Sequence, residues 1–324
     1  MKALVIFNPH AHSGQTSQRI SAAHPEILKH IQRSLNLDSA DWVETQHPGH
    51  ANTLAYEGVA QGYDIIFAGG GDGTINEVLN GIMRSDHRPI FGVLPFGTSN
   101  DFFAALKIAE AEKNPAAHEY TMPLDVGQVI FDDLKRYFCL TAGIGFLSWV
   151  SQQYLETSQQ LGRRFAHIPA AIKALFGYRF LPNARISENG KRFRRRRILA
   201  VMIDNSPMIA GGVPLTPQAK IDDGYLDVCI IKPVSLPRLV WLALQIRLNA
   251  HSHSKSVILE RITEITIITK QALPIHIDGE LVPELGSKAK RTVITVLPAA
   301  LQVVKPSLVE FDYTHTGLQE NLSP

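Results

Sequence analysis

The sequence predicts an α/β domain with a doubly wound parallel sheet, followed by an antiparallel β-sandwich domain. Three observations predict it. Up to about residue 122, short apolar runs with strand character alternate with helical periods. Beyond that point strand-like runs dominate and helices are few. Within the first part, a cluster of glycines joins a buried strand to a helix, the geometry with which α/β proteins meet anionic ligands.

The first part supplies its elements in order. Ala3–Phe7 predicts a strand that stops at Asn8-Pro9. A polar loop with His10, His12, Ser13 and Gly14 leads into a helix from about Ser17 to Leu35. His10 and His12, two apart with no further His or Cys near them, read as exposed polar residues rather than metal ligands. Trp42–Thr45 predicts a second strand and His50–Gln61 a second helix. Tyr63–Ala68, with paired isoleucines, predicts a buried third strand. Gly69, Gly70, Gly71 and Gly73 follow, and Ile75, Val78, Leu79, Ile82 and Met83 then fall on one helical face. Ile90–Leu94 predicts a fourth strand, running into Pro95-Phe96-Gly97-Thr98-Ser99-Asn100-Asp101 and a helix from Phe102 to Ile108.

A polar stretch at Glu110–Tyr120 marks the change of pattern, with the boundary at Met122–Leu124. Strands are predicted at Val126–Phe131, Arg136–Thr141, Ala184–Ser187, Phe193–Ile203, Tyr225–Ile231, Glu264–Thr269, Pro274–Ile277 and Arg291–Val296. Helices are predicted at Trp149–Ser158, His167–Tyr178 and Leu236–Leu248. The stretch Phe165–Phe180 reads as core-packing helix. Tyr313–Pro324 is polar and reads as a frayed tail.

Composition narrows the class. The chain has 324 residues, 45% hydrophobic and 19% charged, which suits a globular protein with a sizeable core. A net charge of +2 provides no global field to select nucleic acid. Cys139 and Cys229 both lie in apolar runs and read as reduced core residues of a cytoplasmic protein. Met1–Phe7 is too short for a signal segment, and runs such as Leu239–Ile246 fall far short of a bilayer span. A lipid substrate would therefore have to be met at the membrane surface from solution.

The glycine turn carries the first chemistry. A strand, a glycine-rich turn and a helix N-terminus present backbone N–H groups to an anion. Asp72 inside that turn would repel phosphate oxygens unless a cation bridged them, so the pattern points to a nucleotide phosphate chain with Mg²⁺. No Gly-Lys-Ser/Thr follows, and Thr74 stands where a dinucleotide motif has its last glycine. A plain tight turn would need one glycine rather than four. The second loop offers the Thr98 hydroxyl, the Asn100 amide and the Asp101 carboxylate at another strand's carboxyl end. Ser99-Asn100-Asp101 also reads as a helix cap, which is compatible with ligand contact.

The second part holds a basic run, Lys191–Arg197, just after the hairpin signal Asn189-Gly190. It reads either as a solvated strand face or as a peripheral contact with anionic headgroups. Stacking aromatics and a broad basic surface are missing, which disfavours nucleic acid. Glycine and carboxylate recur at Gly143-Ile144-Gly145, at Gly211-Gly212 with Lys220–Asp227, and at Ile275–Glu280. Acidic loops of this kind hold a hard cation or simply turn the chain. Glu280 differs, because a hairpin does not need a carboxylate just past its turn.

Together these motifs resemble the bacterial diacylglycerol kinase catalytic-domain family of soluble lipid kinases, related to sphingosine and ceramide kinases. The matching pieces are Asn8-Pro9 with Gly14, GGGDGTINEV, LPFGTSNDF, Pro123–Gly127, Ala142–Phe146, the series from Gly211 to Asp227, and IDGE at Ile277–Glu280. They span nearly the whole chain. GGDGT alone is shared with NAD kinases; GTSNDF with IDGE is far more specific. The resemblance implies that Thr45, Gly70, Gly71, Asp72, Gly73, Thr74, Ile75, Asn76, Glu77 and Thr98 hold ATP. It implies that Glu280 is the general base, and that Asp72 and Asp101 lie beside the nucleotide and the catalytic Mg²⁺. It implies a metal site at Lys220, Asp223 and Tyr225, with Asp223 giving its carboxylate and the other two their carbonyls. It also implies that the chain from about 299 to 312 returns to the first domain, residues 1–122, leaving 123–298 as the lipid-binding sandwich.

The chain departs from the family at Leu140, Leu147 and Val213, all outside the nucleotide motifs. The expectation is a lipid kinase that transfers the γ-phosphate of ATP to diacylglycerol or a related glycerolipid, transiently at the inner membrane surface. NAD kinase and a non-catalytic nucleotide- or lipid-binding regulator are the alternatives. The lipid, the oligomeric state and the membrane role of the basic run stay open.

Overall fold

Apolar strands in parallel pairing organise the N-terminal part of the chain. A computed structural model describes residues 1–11, 14–112, 120–131, 134–146, 148–150, 153, 157, 169, 173, 181–209, 211–270, 274–282 and 290–310. The chain divides into two units, Met1–Val126 with the chain from Pro298 onward, and Gly127–Leu297.

In the first unit, β1 (Lys2–Phe7), β2 (Ser39–Glu44), β3 (Ile65–Gly70) and β4 (Ile90–Pro95) lie in the order β2-β1-β3-β4, all parallel. Every residue of β3 is buried, as are all but the first of β1, whereas the edge strand β2 is half exposed. Central strands covered on both faces read as unbroken apolar runs, and this explains the Ile-Ile and Val-Ile pairs. The helices α1 (Gly14–Leu35), α2 (His50–Ala60), α3 (Asp72–Met83) and α4 (Asp101–Glu112) alternate with the strands. In α3 the face formed by Ile75, Val78, Leu79, Ile82 and Met83 is buried, as its spacing predicts. Gly81 lets α2 approach closely: a Cβ there would collide with the Asn52 carbonyl.

The second unit is a sandwich of antiparallel strands. Its strands are β5 (Thr121–Phe131, which begins in the first unit), β6 (Leu134–Phe138), β7 (Thr141–Gly145), β8 (Leu181–Glu188), β9 (Arg194–Ile198), β10 (Ala200–Asp204), β11 (Leu226–Ile231), β12 (Val257–Ile262), β13 (Glu264–Thr269), β14 (Ile275–Ile277) and β15 (Glu280–Leu281). One sheet runs β12-β11-β10-β7-β14-β15. Its inner face packs Ile144, Val201, Ile203, Val228 and Ile230 against Phe131, Ile186, Ile265 and Ile294 of the other strands. Its outer face places Ala200, Met202, Cys229 and Ile231 against Leu242 of α5 (Leu236–Arg247). Both faces of β10 and β11 are thus covered, so their apolar residues do not alternate with polar ones.

The last strand, β16 (Arg291–Val304), pairs with β13 through Arg291–Thr295, within the second unit. Its far end belongs to the first unit, where Val303 pairs with Phe91 of β4. The 3-10 turn Pro306–Leu308 follows, and Ser307 donates backbone and hydroxyl hydrogen bonds to Glu110 on α4. Asp125, 2% exposed, accepts the Ala299 N–H at 2.7 Å and holds that residue at φ 46°. This is the task of the aspartate in the Pro123–Gly127 motif.

Several expected boundaries differ. Phe193–Ile203 is two strands, β9 and β10, divided at Leu199. The apolar run hides this break, because Leu199 is itself 1% exposed. The expected Arg136–Thr141 strand stops at Phe138, where Cys139 and Leu140 turn into β7. β12 was not expected, since Glu260 and Arg261 interrupt its apolar pattern. The helices expected at Trp149–Ser158 and His167–Tyr178, the tail 313–324, His12 and Leu147 lie mostly or wholly outside the described residues.

Candidate functional site

The carboxyl ends of β1 to β4 lie along one edge of the parallel sheet, because Phe7 pairs with Glu44 and Gly69, and Gly69 with Leu94. The loops that leave this edge carry Asn8, Thr45, the glycine turn and Thr98–Asp101. These are positions where doubly wound sheets bind ligands. Two of the loops touch backbone to backbone. A Cβ on Gly71 would stand 3.2 Å from the Gly97 Cα, and one on Gly97 would collide with the Gly71 Cα. This approach requires glycine at 97 and leaves little room for a side chain at 71.

Side chains lock the loops further. Asp72 accepts the Asp101 N–H at 3.3 Å and the Phe102 N–H at 3.2 Å, so the first residue of α3 caps α4. Asn100, at φ 51°, accepts the Gly97 N–H and donates to the Gly97 carbonyl, both at 2.9 Å. Asn8 donates its side-chain N–H to the Thr74 hydroxyl at 3.0 Å. Two helix N-termini thus converge where β3 and β4 end. The first-turn N–H groups of a helix lack intrahelical acceptors and favour an anion.

The expected nucleotide residues differ in what they present here. Gly71, Asp72 and Gly73 are partly exposed, and Thr98 is exposed. Gly70, Thr74 and Thr45 are buried; Thr45 also donates its N–H to the Phe7 carbonyl at 2.8 Å. Asn76 receives the Asn80 side-chain amide at its carbonyl and its side-chain oxygen. Ile75 is fully buried, and its N–H bonds the Gly71 carbonyl at 3.0 Å, so it serves packing and helix start. The Glu77 carboxylate accepts the Gly49 and Ala51 N–H groups at 2.8 and 3.1 Å, capping α2. Ile75 and Glu77 therefore support the turn in this geometry instead of facing outward.

The second unit brings together another set. Asp278 and Gly279 form the turn between β14 and β15, at φ 47° and 84°, with Ile277 opposite Glu280. The buried Asp278 carboxylate accepts the N–H groups of Cys139, Leu140 and Thr141 at 3.1, 2.9 and 2.8 Å. Asp278 is thus a clamp between two turns as well as a turn residue. Leu140, one of the departures, takes part through its backbone and is itself buried. Glu280 follows the clamp and is exposed. On β14, His276, opposite Leu281, is held by Ser148 at 2.8 Å, and burial lowers its pKa to about 4.

Next to the clamp, fully buried Asp204 accepts the Thr141 and Thr216 hydroxyls at 2.5 and 2.9 Å. Burial raises its pKa to about 7, against the pull of those two hydrogen bonds. Asp227, opposite Asp204 in the sheet, is raised to about 6, first by burial; Arg261 opposes the rise and Asp223 adds to it. Asp204 and Arg261 were not singled out in the sequence. The signal for Asp204 was a carboxylate closing the apolar run Ala200–Asp204.

The expected metal loop is arranged differently from a metal site. Asp223 accepts the Tyr225 N–H at 3.1 Å and pairs with Arg261, whose guanidinium stacks on the Tyr225 ring at 4.6 Å. Lys220 is exposed. In this structure the Arg261 guanidinium therefore occupies the carboxylate that the expected site would offer an ion. Among the described residues no group of three or more His, Cys, Asp or Glu is placed to hold a metal.

Comparison with known proteins bears on this geometry. The family model of the diacylglycerol kinase catalytic domain matches residues 2–129, and that of the YegS C-terminal NAD kinase beta sandwich-like domain matches residues 145–305. A diacylglycerol kinase of Staphylococcus aureus (strain bovine RF122 / ET3-1) is 30% identical over 288 residues, covering 86% of this chain and 86% of its own length. This chain belongs to the diacylglycerol kinase family. A diacylglycerol kinase of Bacillus subtilis (strain 168) is 28% identical over 295 residues, 86% of this chain and 89% of its own. A crystal structure of a diacylglycerol kinase from Bacillus anthracis str. Sterne has the same fold, with a TM-score of 0.64 at 22% identity over 94% of this chain and 96% of that one. The α/β domain and the β-sandwich domain are those of this family. Among the described residues, no helix is long and apolar enough to cross a membrane.

Proposed function

We propose that this member of the family transfers the γ-phosphate of ATP to the hydroxyl of a lipid, diacylglycerol or a related glycerolipid, at the cytoplasmic face of a membrane. The observation that carries the reading is the contact of Gly71 with Gly97, tied by Asp72 across the two helix N-termini. Phosphoryl transfer asks mainly for positioning and charge stabilisation, and this turn supplies both. Its N–H groups and the Thr98 hydroxyl would hold the phosphate chain. Asp72 and Asp101 offer the oxygen donors a hard cation takes, so this set fits Mg²⁺. Bound with ATP, that ion would supply charge neutralisation. No step is assigned to the Asp223 loop.

Glu280 is assigned as the general base. Its carboxylate takes the proton as the acceptor oxygen bonds the γ-phosphorus, while the bond to the β-phosphate oxygen breaks and ADP leaves. The test is incubation with labelled ATP, Mg²⁺ and mixed lipid micelles, followed by extraction into organic solvent. Label in the organic phase is the expected result, and chromatography identifies the acceptor. Label confined to water, with ATP shown to bind, sinks the reading. Added NAD then separates an NAD kinase from a non-catalytic binder.

A further inference from the structure

Helix α5 uses one face to close the sandwich and leaves another uncovered. Leu239, Leu242 and Ile246, at i, i+3 and i+7, pack on the outer face of the sheet. Leu236, Val240, Leu244 and Leu248 repeat every fourth residue on the other side and are 49, 65, 48 and 67% exposed. Trp241 adjoins them at 58%. A single exposed apolar residue is ordinary, but a stripe of five along one helix is not.

The chain segment that carries the stripe holds one sign of charge. From Val228 to Leu259 the chain has no Asp or Glu, while Lys232, Arg238, Arg247 and Lys255 fall within it. Lys232, Arg238 and Arg247 are exposed. The segment entering α5 also meets the basic run: a groove of about 630 Å³ is lined by Arg196, Arg197, Lys232 and Ser235. Arg196 pairs with Glu188 and Glu260 at 2.9 and 3.1 Å, whereas Arg194, Arg195 and Arg197 are exposed.

We propose that the outward face of α5, with Lys232, Arg238, Arg247 and Arg197 around it, is the surface on which the chain docks to an anionic bilayer. An apolar stripe bearing a tryptophan and rimmed by cations is the pattern of a helix that lies in the headgroup region. A second copy of the chain is the poorer occupant. Two-fold pairing would set these cations against their own copies with no carboxylate on the helix to balance them. The proposal rests on the lipid-kinase reading for its purpose, since the acceptor of such an enzyme resides in a bilayer.

The test omits ATP and acceptor, so the two readings fail separately. The full chain is sedimented with vesicles of phosphatidylcholine alone, or with about a third phosphatidylglycerol. Wild type is expected to bind the anionic vesicles, and brominated lipid to quench Trp241. The double variant Val240→Ser/Leu244→Gln is expected to bind about tenfold or more weakly, by loss of apolar insertion. Arg238→Glu, which leaves the helix apolar face whole, should weaken binding to anionic vesicles only. It decides the matter if the double variant unfolds. Wild-type binding that is absent, or unchanged in both variants, overturns the proposal. So does a lipid-free oligomer that the double variant converts to monomer, which would assign the face to a second copy. Failure of all lipid phosphorylation, with vesicle binding still dependent on α5, would remove the kinase reading and leave the docking surface standing.

Discussion

The carboxylate of Asp72 accepts the backbone N–H of Asp101 at 3.3 Å, and its other oxygen accepts that of Phe102 at 3.2 Å. The aspartate that stands in the glycine turn therefore also caps the helix that begins with the second acidic position. The two motifs are one device: α3 and α4 cannot shift independently while this bond and the Gly71–Gly97 contact hold. A capping role and a role beside the nucleotide are both chemically open to Asp72, and substitution can separate them.

Asp72→Asn keeps one acceptor for α4 and removes the charge, whereas Asp72→Ala removes both. Loss of the cap should cost about 1–2 kcal/mol and lower Tm by a few degrees in the alanine variant. The asparagine variant should melt close to wild type. If the charge also serves transfer, kcat should fall by about a hundredfold or more in both variants. An asparagine variant that melts and turns over like wild type would reduce Asp72 to a helix cap.

Gly97→Ala tests the contact of the loops. The new Cβ meets the Gly71 backbone, which has no rotamer with which to yield. Overpacking of this kind costs about 1–3 kcal/mol, and relief must come from parting the two loops. ATP affinity should drop by about tenfold or more, read by calorimetry. Gly190→Ala is the control: Gly190 has φ 69° and open space at the Cβ, so it should lose about 1 kcal/mol of stability and no affinity. Equal losses of affinity in the two would mean that Gly97 acts only through general stability.

The first unit was legible because each of its signals is local. Strand, glycine turn and helix follow within twenty residues, and the apolar periods change where the structure changes. What was not legible depends on pairing at a distance. Nothing near Glu77 in sequence shows that its carboxylate caps α2 through Gly49 and Ala51. The Arg261 that holds Asp223 is far along the chain, and it broke the pattern of β12 as well. Asp278 looked like half of an Asp-Gly turn. Its three N–H partners, Cys139 to Thr141, come from a turn more than a hundred residues earlier.

That clamp predicts a contrast between neighbours. Asp278→Asn leaves one oxygen where two accept three buried N–H groups, and turns an amide donor toward them. The cost should be about 2–4 kcal/mol, with a clear fall in Tm. Turnover should fall too, since the strand that carries Glu280 is set by this turn. Glu280→Gln changes an exposed side chain and should leave stability within about 0.5 kcal/mol of wild type. If Glu280 is the base, its kcat should still fall by about two to four orders of magnitude with ATP affinity nearly unchanged. Loss of ATP binding in Glu280→Gln would overturn the assigned role.

Asp204 makes stability depend on pH in a defined direction. Its pKa is about 7 in the folded chain against 3.8 for an ordinary aspartate, because burial penalises the charged form more than the Thr141 and Thr216 hydroxyls relieve it. Between these values the folded state binds more protons at this site than the unfolded state. Its contribution is therefore fully present below about pH 4, is lost as pH rises toward 7, and changes no further above that. The whole loss is on the order of 4 kcal/mol. Asp204→Asn is neutral at every pH and keeps a hydrogen-bonding group at each position. Urea unfolding of both proteins at pH 5 and pH 8 cancels the titrating groups that do not interact with Asp204, leaving this site and the Asp227 carboxylate opposite it. The variant should gain on wild type by a few kcal/mol between the two pH values. A gap that stays constant would mean that Asp204 is not held protonated by its burial, and that the charge is stabilised within the sheet.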